Sequence, residues 1–150
     1  MTNKKASMTI NIHIAETDDQ IADCFPVMHD LRPHLKDAAE FVSRVRLQQT
    51  EGYVLAYSVG AVGKPAGCMG FRRQNRLVHG PVIYVDDLVT LGQQRSGGHG
   101  AALLDWLEAL AKGEGIKVID LDSGTQRTDA HRFYLRQRFA ITAFHFLKRI

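Results

Sequence analysis

Apolar residues near the start of the chain fall on every second position. Ile10, Ile12 and Ile14 alternate with Asn11 and His13, the signature of a half-buried strand. The period then lengthens. Thr17, with Gln20 three residues on, has the form of a capping box and opens a helix whose apolar face is Ile21, Ala22 and Phe25. Pro26 should kink or end that helix, because it lacks a donor and its ring crowds the Ala22 carbonyl. Arg32-Pro33 is a second break. Asp37 and Glu40 start another helix, in which Ala38, Phe41, Val42 and Val45 follow the i, i+3, i+4, i+7 spacing. Alternation returns from Tyr53 to Val59. Gly60 to Pro65 reads as a turn, Ala66 to Gln74 as the returning strand of a hairpin, and Pro81 to Leu91 as a third strand completing a meander.

Leu103, Leu104, Leu107, Leu110 and Ala111 then share one helical face, and Gly113 and Gly115 end the helix. Lys117 to Leu121 is a short apolar strand, so the unit from Val82 onward is β-α-β, which implies parallel pairing and a right-handed crossover. Thr125 or Thr128 is expected to cap a helix running to about Arg138. Ile141 to Leu147 alternates again and reads as a closing strand. The predicted order is β-α-α-β-β-β-α-β-α-β, an α/β domain on a mixed sheet.

Composition narrows the function classes. At 150 residues, 45% hydrophobic and 23% charged, the chain reads as one globular domain, residues 8–150. Met1 to Ser7 is polar and basic, is expected to be a disordered tail, and resembles neither a signal peptide nor a membrane anchor. No apolar run approaches the roughly 18 residues of a membrane span. A net charge of +3 and a pI near 9.0 suit an anionic ligand. Without a basic stripe interleaved with aromatics they do not point to nucleic acid. Cys24 and Cys68 form no CxxC and read as reduced thiols of a cytoplasmic protein. The seven histidines form no zinc-like motif, so no metal is expected.

The candidate chemistry centres on the glycine turn between the third strand and the long helix. A helix N-terminus behind glycines presents free N–H groups and a favourable dipole to a phosphate. A P-loop is rejected, because Gly98 and His99 stand where Lys and Ser/Thr are needed after Gly92 and Gly97. A dinucleotide fingerprint finds Gly98 and Gly100 but Leu103 at its third position, and three antiparallel strands precede it. The pattern R-x-x-G-x-G is met by Arg95, Gly98 and Gly100. Further on, Ala130, Phe133, Tyr134 and Phe139 fit A-x-x-F-Y-x-x-x-G-F.

With both motifs in this order of elements, the chain resembles the GNAT family of N-acetyltransferases. The resemblance implies a mixed, largely antiparallel sheet with a central splayed parallel strand pair, flanked by helices. It also implies acetyl-CoA as co-substrate. Amides of Leu88, Val89 and Thr90 would bind pantetheine and polarise the acetyl carbonyl, and Gln94, Arg95, Ser96, Gly97, Gly98, His99 and Gly100 would hold the pyrophosphate. Two departures stand out. Arg138 replaces the usual glycine before Phe139, at a cost of about 1 kcal/mol if its φ is positive. Ser123 to Arg127 replaces a loop that often carries asparagine, leaving Ser123 and Arg127 as possible coenzyme A contacts.

The segment Tyr84-Val85-Asp86-Asp87-Leu88-Val89-Thr90 resembles that of spermidine/spermine acetyltransferases. Asp86 is favoured as the base that takes a proton from the amine, and Asp87 as an amine-attracting charge. Strand alternation would put the two carboxylates on opposite faces. Tyr134 matches the family's tyrosine that protonates the leaving thiolate. His29 and His34, flanking the Arg32-Pro33 break, are candidates for the acceptor side. The expected activity is acetyl transfer to the primary amine of a small, cationic acceptor such as a polyamine, an aminoglycoside or an amino-acid derivative. The alternatives are a protein N-terminal or lysine acetyltransferase and a non-catalytic acyl-CoA sensor; a homodimer is compatible with the family.

Overall fold

The computed structural model describes residues 9–92 and 97–150, which form two compact units, one up to Asp120 and one from Leu121 onward. The first begins with β1 (Asn11–Ile14), α1 (Asp18–Asp23), α2 (Phe25–Leu31) and α3 (Ala38–Gln49). The Thr17–Gln20 capping box forms as the sequence predicts, with the Gln20 amide at 3.2 Å from Thr17 Oγ1 and the Gln20 side chain accepting from the Thr17 N–H at 3.0 Å. The helical run breaks ahead of Pro26, as expected, with α1 ending at Asp23, and Pro26 also opens the next helix. It sits in the first turn of α2, where its missing N–H has no intrahelical partner to lose, so it starts a helix and makes three short helices of the expected two. Asp37 caps α3 through the Glu40 amide at 2.8 Å.

The strands β2 (Tyr53–Val59), β3 (Pro65–Arg76) and β4 (Gly80–Thr90) form the predicted antiparallel meander. The sheet order is β1-β2-β3-β4-β5, where β5 (Ile119–Leu121) follows the long helix α4 (His99–Gly113) and completes the parallel pair with β4. Helix α4 packs directly on the sheet at Gly67. A Cβ there would lie 2.8 Å from Ser58 Oγ and 3.1 Å from Leu103 Cδ1, so only glycine lets helix and strand come this close. On the other face, α1 to α3 cover a core that includes Ile21, Val27, Met28, Phe41 and Leu55. Among the described residues no helix is long and apolar enough to cross a membrane.

The second unit holds α5 (Thr128–Arg136). Its N-cap is Arg127, and neither Thr125 nor Thr128 caps it. Its C-terminus bears out the expectation for Arg138, which has φ 67°. The Phe139 amide donates to Tyr134 O at 3.0 Å and the Arg138 amide to Leu135 O at 3.1 Å, a Schellman turn that ordinarily takes glycine at this position. The closing strand does not form. Ile141 to Ile150 carries no strand, and Phe144 and Phe146 are 84% and 90% exposed. Alternation is a local property, whereas a strand needs a partner edge, and this segment pairs with none. Among the described residues no strand follows β5, so the expected parallel pair is present but lies at the sheet edge.

Candidate active site

The register of β4 on β3 breaks at one point. Gly70 pairs with Asp87 and Phe71 with Val85, so Asp86 is an extra residue in a β-bulge. A bulge re-aims side chains locally, and here it corrects the expectation from alternation. Asp86 and Asp87 do not divide between two faces; both line a single cavity of about 400 Å³ between the helices and β2 to β4.

Each carboxylate is held by a guanidinium from a different part of the chain. Arg32, at the C-cap of α2, reaches Asp87 Oδ1 through Nε at 2.9 Å and Nη2 at 2.8 Å. The Tyr53 hydroxyl donates to Asp87 Oδ2 at 2.9 Å. Asp87 therefore binds side chains through both oxygens. Asp86 meets Arg72 Nε through Oδ2 at 3.0 Å. Burial raises the Asp86 carboxyl pKa from its ordinary value, against the pull of Arg72. Burial also drives the Tyr53 phenol well above its usual value, reinforced by the charge of Asp87, so Tyr53 remains a donor.

Tyr53 reaches Asp87 only because Gly70 lies beneath it. A Cβ on Gly70 would stand 1.9 Å from Tyr53 Oη and 2.2 Å from Cζ. His34 lines the cavity with Arg32, Arg44 and Tyr84. His29 does not. It is exposed on α2 and packs at a tilt against Phe25, with ring centroids 5.2 Å apart.

Beyond the bulge, β4 presents its backbone. The Leu91 amide donates to Ala66 O at 2.9 Å, toward β3. Strand N–H groups alternate in direction, so Val89 also faces β3, while the N–H groups of Leu88 and Thr90 point away from it. Of the three amides expected to bind pantetheine, two are directed outward from the hairpin. Gly98 then takes φ 84° as the N-cap of α4, and the first-turn N–H groups that follow have no acceptor within the helix. Gly97, Gly98 and Gly100 belong to this turn, whereas Gln94, Arg95 and Ser96 lie outside the described residues. The His99 side chain turns inward, its Nδ1 2.9 Å from Ser58 Oγ, so it contributes its amide to the turn and not its ring. Burial lowers its pKa and keeps the imidazole neutral.

These outward amides, this glycine-capped helix and the motif downstream agree with one known group of proteins. The sequence profile of the Acetyltransferase (GNAT) family matches residues 14–139. The chain belongs to the GNAT family. It is 33% identical over 142 residues to the uncharacterized N-acetyltransferase YhdJ of Bacillus subtilis, covering 91% of this chain and 98% of that one. It is 34% identical over 87 residues to an aminoalkylphosphonate N-acetyltransferase of Salmonella typhimurium, covering 57% of this chain and 56% of that one. In fold it is similar to AAC(6')-Iy in complex with the bisubstrate analogue CoA-S-monomethyl-acetylneamine, with a TM-score of 0.78, 16% identity, and coverage of 95% and 98% of the two chains.

As a GNAT protein the chain is an N-acetyltransferase, and the family uses acetyl-CoA as its donor. In the unit from Leu121 onward, Ser123 is half-buried, Arg127 is exposed, and Tyr134 packs edge-on against Phe139 with centroids 5.7 Å apart. Burial raises the Tyr134 phenol above its usual pKa. The sequence reading missed Arg32, Arg44, Tyr53 and Arg72. Arg72 lies on β3 close to two further arginines, Arg73 and Arg76. In the structure each of these three arginines pairs with a separate acid, Asp86, Glu114 and Asp120. Tyr53 had one usable signal, its place on the same strand face as the buried Leu55.

Proposed function

We propose that this protein transfers the acetyl group of acetyl-CoA to the primary amine of a small acceptor held in the Asp86–Asp87 cavity. The observation that carries this reading is the bulge. It sets two carboxylates in one small cavity, directly before the outward amides of Leu88 and Thr90 on the same strand. A volume of about 400 Å³ suits a small molecule better than a protein tail. The named activities of the relatives, on aminoalkylphosphonate and aminoglycoside amines, lend support.

Acetyl-CoA supplies the activated thioester. The first-turn amides of α4 after Gly98, with Gly97 and with Gln94, Arg95 and Ser96, would hold its pyrophosphate. Leu88 and Thr90 would bind its pantetheine and polarise the acetyl carbonyl; one such backbone donor is worth about 3 kcal/mol of barrier. Ser123 and Arg127 remain the proposed contacts of the following loop. An alkyl ammonium, with a pKa of about 10, must lose a proton before it can attack. Asp86 takes that proton, directly or through a water, because burial has raised its basicity and one of its oxygens is not committed to Arg72. Asp87, bound at both oxygens, attracts the ammonium and fixes Arg32. Tyr134 is the acid for the departing thiolate, and its raised pKa keeps the phenol protonated at neutral pH.

The test is thiol release from acetyl-CoA across a panel of primary amines. Turnover is expected with wild type, with Tyr134→Phe lowering kcat at least tenfold while the Kd for acetyl-CoA stays within a factor of two. Binding of acetyl-CoA without turnover of any amine would instead support a sensor. Unchanged kcat in Tyr134→Phe would remove the tyrosine from the mechanism.

A further inference from the structure

The acceptor cavity is polar in an ordered way. Its two carboxylates, Asp86 and Asp87, rise from β4, whereas its two guanidinium groups come from the helical side, Arg32 at the end of α2 and Arg44 on α3. The lining thus carries equal numbers of acids and arginines, separated by element. A purely cationic acceptor would meet both guanidinium groups as well as both carboxylates. An amine that also carries an anion would satisfy both sides.

The two arginines are braced in a way that leaves donors over. Arg44 is fixed by Glu40, one helical turn back, through Nε at 3.1 Å and Nη2 at 2.9 Å to the same carboxylate oxygen. Glu40 is itself tied by its other oxygen to the Lys36 amide at 2.8 Å. Arg32 likewise spends Nε and Nη2 on Asp87 and on the Asp86 carbonyl. In neither residue does Nη1 take part in these contacts. A guanidinium held along one edge presents the remaining donors in a fixed direction, the geometry that selects carboxylate and phosphate oxygens. Both side chains stay open to an incoming molecule, at 43% exposure for Arg32 and 56% for Arg44.

We propose that the acceptor is a zwitterion, a small primary amine with a carboxylate, phosphate or phosphonate at its other end, and that Arg44 with Arg32 recognises this anion. The proposal rests on the reading of this cavity as the acceptor site. It replaces the purely cationic acceptor that the acidic pair alone implies.

The test uses amines of matched length: 3-aminopropylphosphonate, 4-aminobutyrate, 1,4-diaminobutane and butylamine, assayed by thiol release. Wild type should use one or both zwitterions with a kcat/KM at least tenfold above the diamine and butylamine. The phosphonate and carboxylate arms then tell which anion fits. Arg44→Gln should raise KM for the preferred zwitterion roughly tenfold relative to butylamine, about 1.4 kcal/mol, since a charge-assisted hydrogen bond is lost. Arg44→Lys should fall between the two. Propylphosphonate should compete with the amine in wild type and more weakly in Arg44→Gln. Equal or better use of diaminobutane, or an Arg44→Gln variant that raises every KM alike, overturns the proposal and leaves acetyl transfer standing. Absence of thiol release with every amine overturns acetyl transfer as well.

Discussion

Replacing Gly70 with alanine tests whether the site is built as described. The new methyl carbon would stand 1.9 Å from Tyr53 Oη, 2.2 Å from Cζ and 2.4 Å from Cε2. No small rotation of a planar ring clears three such contacts, and Tyr53 is only 3% exposed, so the ring must be displaced within a packed region. Overpacking of this kind costs about 1–3 kcal/mol. Moving the phenol also breaks its bond to Asp87, and a buried hydrogen bond to a charged group is worth about 1.5–3 kcal/mol. Together these predict a loss of roughly 2.5–6 kcal/mol, a fall in Tm of roughly 5–24 °C for a chain of this size. Urea and thermal unfolding of Gly70→Ala, Tyr53→Ala and the double variant form a cycle that isolates the cause. With Tyr53 already truncated, Gly70→Ala should be neutral or mildly stabilising, because alanine restricts the unfolded chain. If Gly70→Ala costs the same in both backgrounds, or less than about 0.5 kcal/mol in wild type, the account of Tyr53 crossing over Gly70 to Asp87 is wrong.

Three further outcomes are expected. Arg72 holds the Asp86 carboxyl down against burial, so Arg72→Met should move the acidic limb of the kcat/KM profile to higher pH; a limb that stays in place would show that Asp86 is not the titrating base. His99 has its pKa lowered by burial, so the unfolded chain binds the proton more readily. Stability should be full above about pH 6.5 and decline as pH falls toward the folded value, and His99→Gln should flatten that slope in urea titrations at several pH values. Arg138 occupies φ 67°. Arg138→Gly should relieve about 1–2 kcal/mol of left-handed strain and return part of it as unfolded-state entropy, for a net rise in Tm of roughly 1–3 °C; a fall would mean that the arginine side chain makes a stabilising contact.

What the sequence disclosed was mostly local. Thr17 with Gln20 and Asp37 with Glu40 announce helix starts because capping involves residues three apart. The meander follows from runs of alternating residues separated by turn glycines. Arg138 was legible as a strained position because the motif around it specifies a glycine. The errors lie where local pattern meets a partner it cannot name. Period-two alternation assigns Asp86 and Asp87 to opposite faces and contains no sign of the extra residue that unites them. Arg32 lies 55 residues from Asp87, and nothing in either segment announces the pair. Pro26 marks a break in an apolar helical pattern, but ending one helix and beginning another have equal local logic. The alternating Ile141 to Leu147 meets every local requirement of a strand and lacks only a neighbour.

The bulge at Asp86 also bears on how such a site can arise. In a regular strand, two side chains reach the same face only from alternate residues, roughly 6.7 Å apart along the chain. The inserted residue brings the carboxylates of consecutive positions together, with α-carbons about 3.8 Å apart. No substitution in a plain hairpin yields that spacing; it takes a change in chain length. The proximity adds to the effect of burial on the inserted residue, since the Asp87 charge also pushes the Asp86 pKa upward. Arg32 and Arg72 are thus the counterions that make the insertion tolerable. Relatives of this chain without the extra residue should be free to lose both arginines, and relatives with it should vary the acids more readily than the length of the strand.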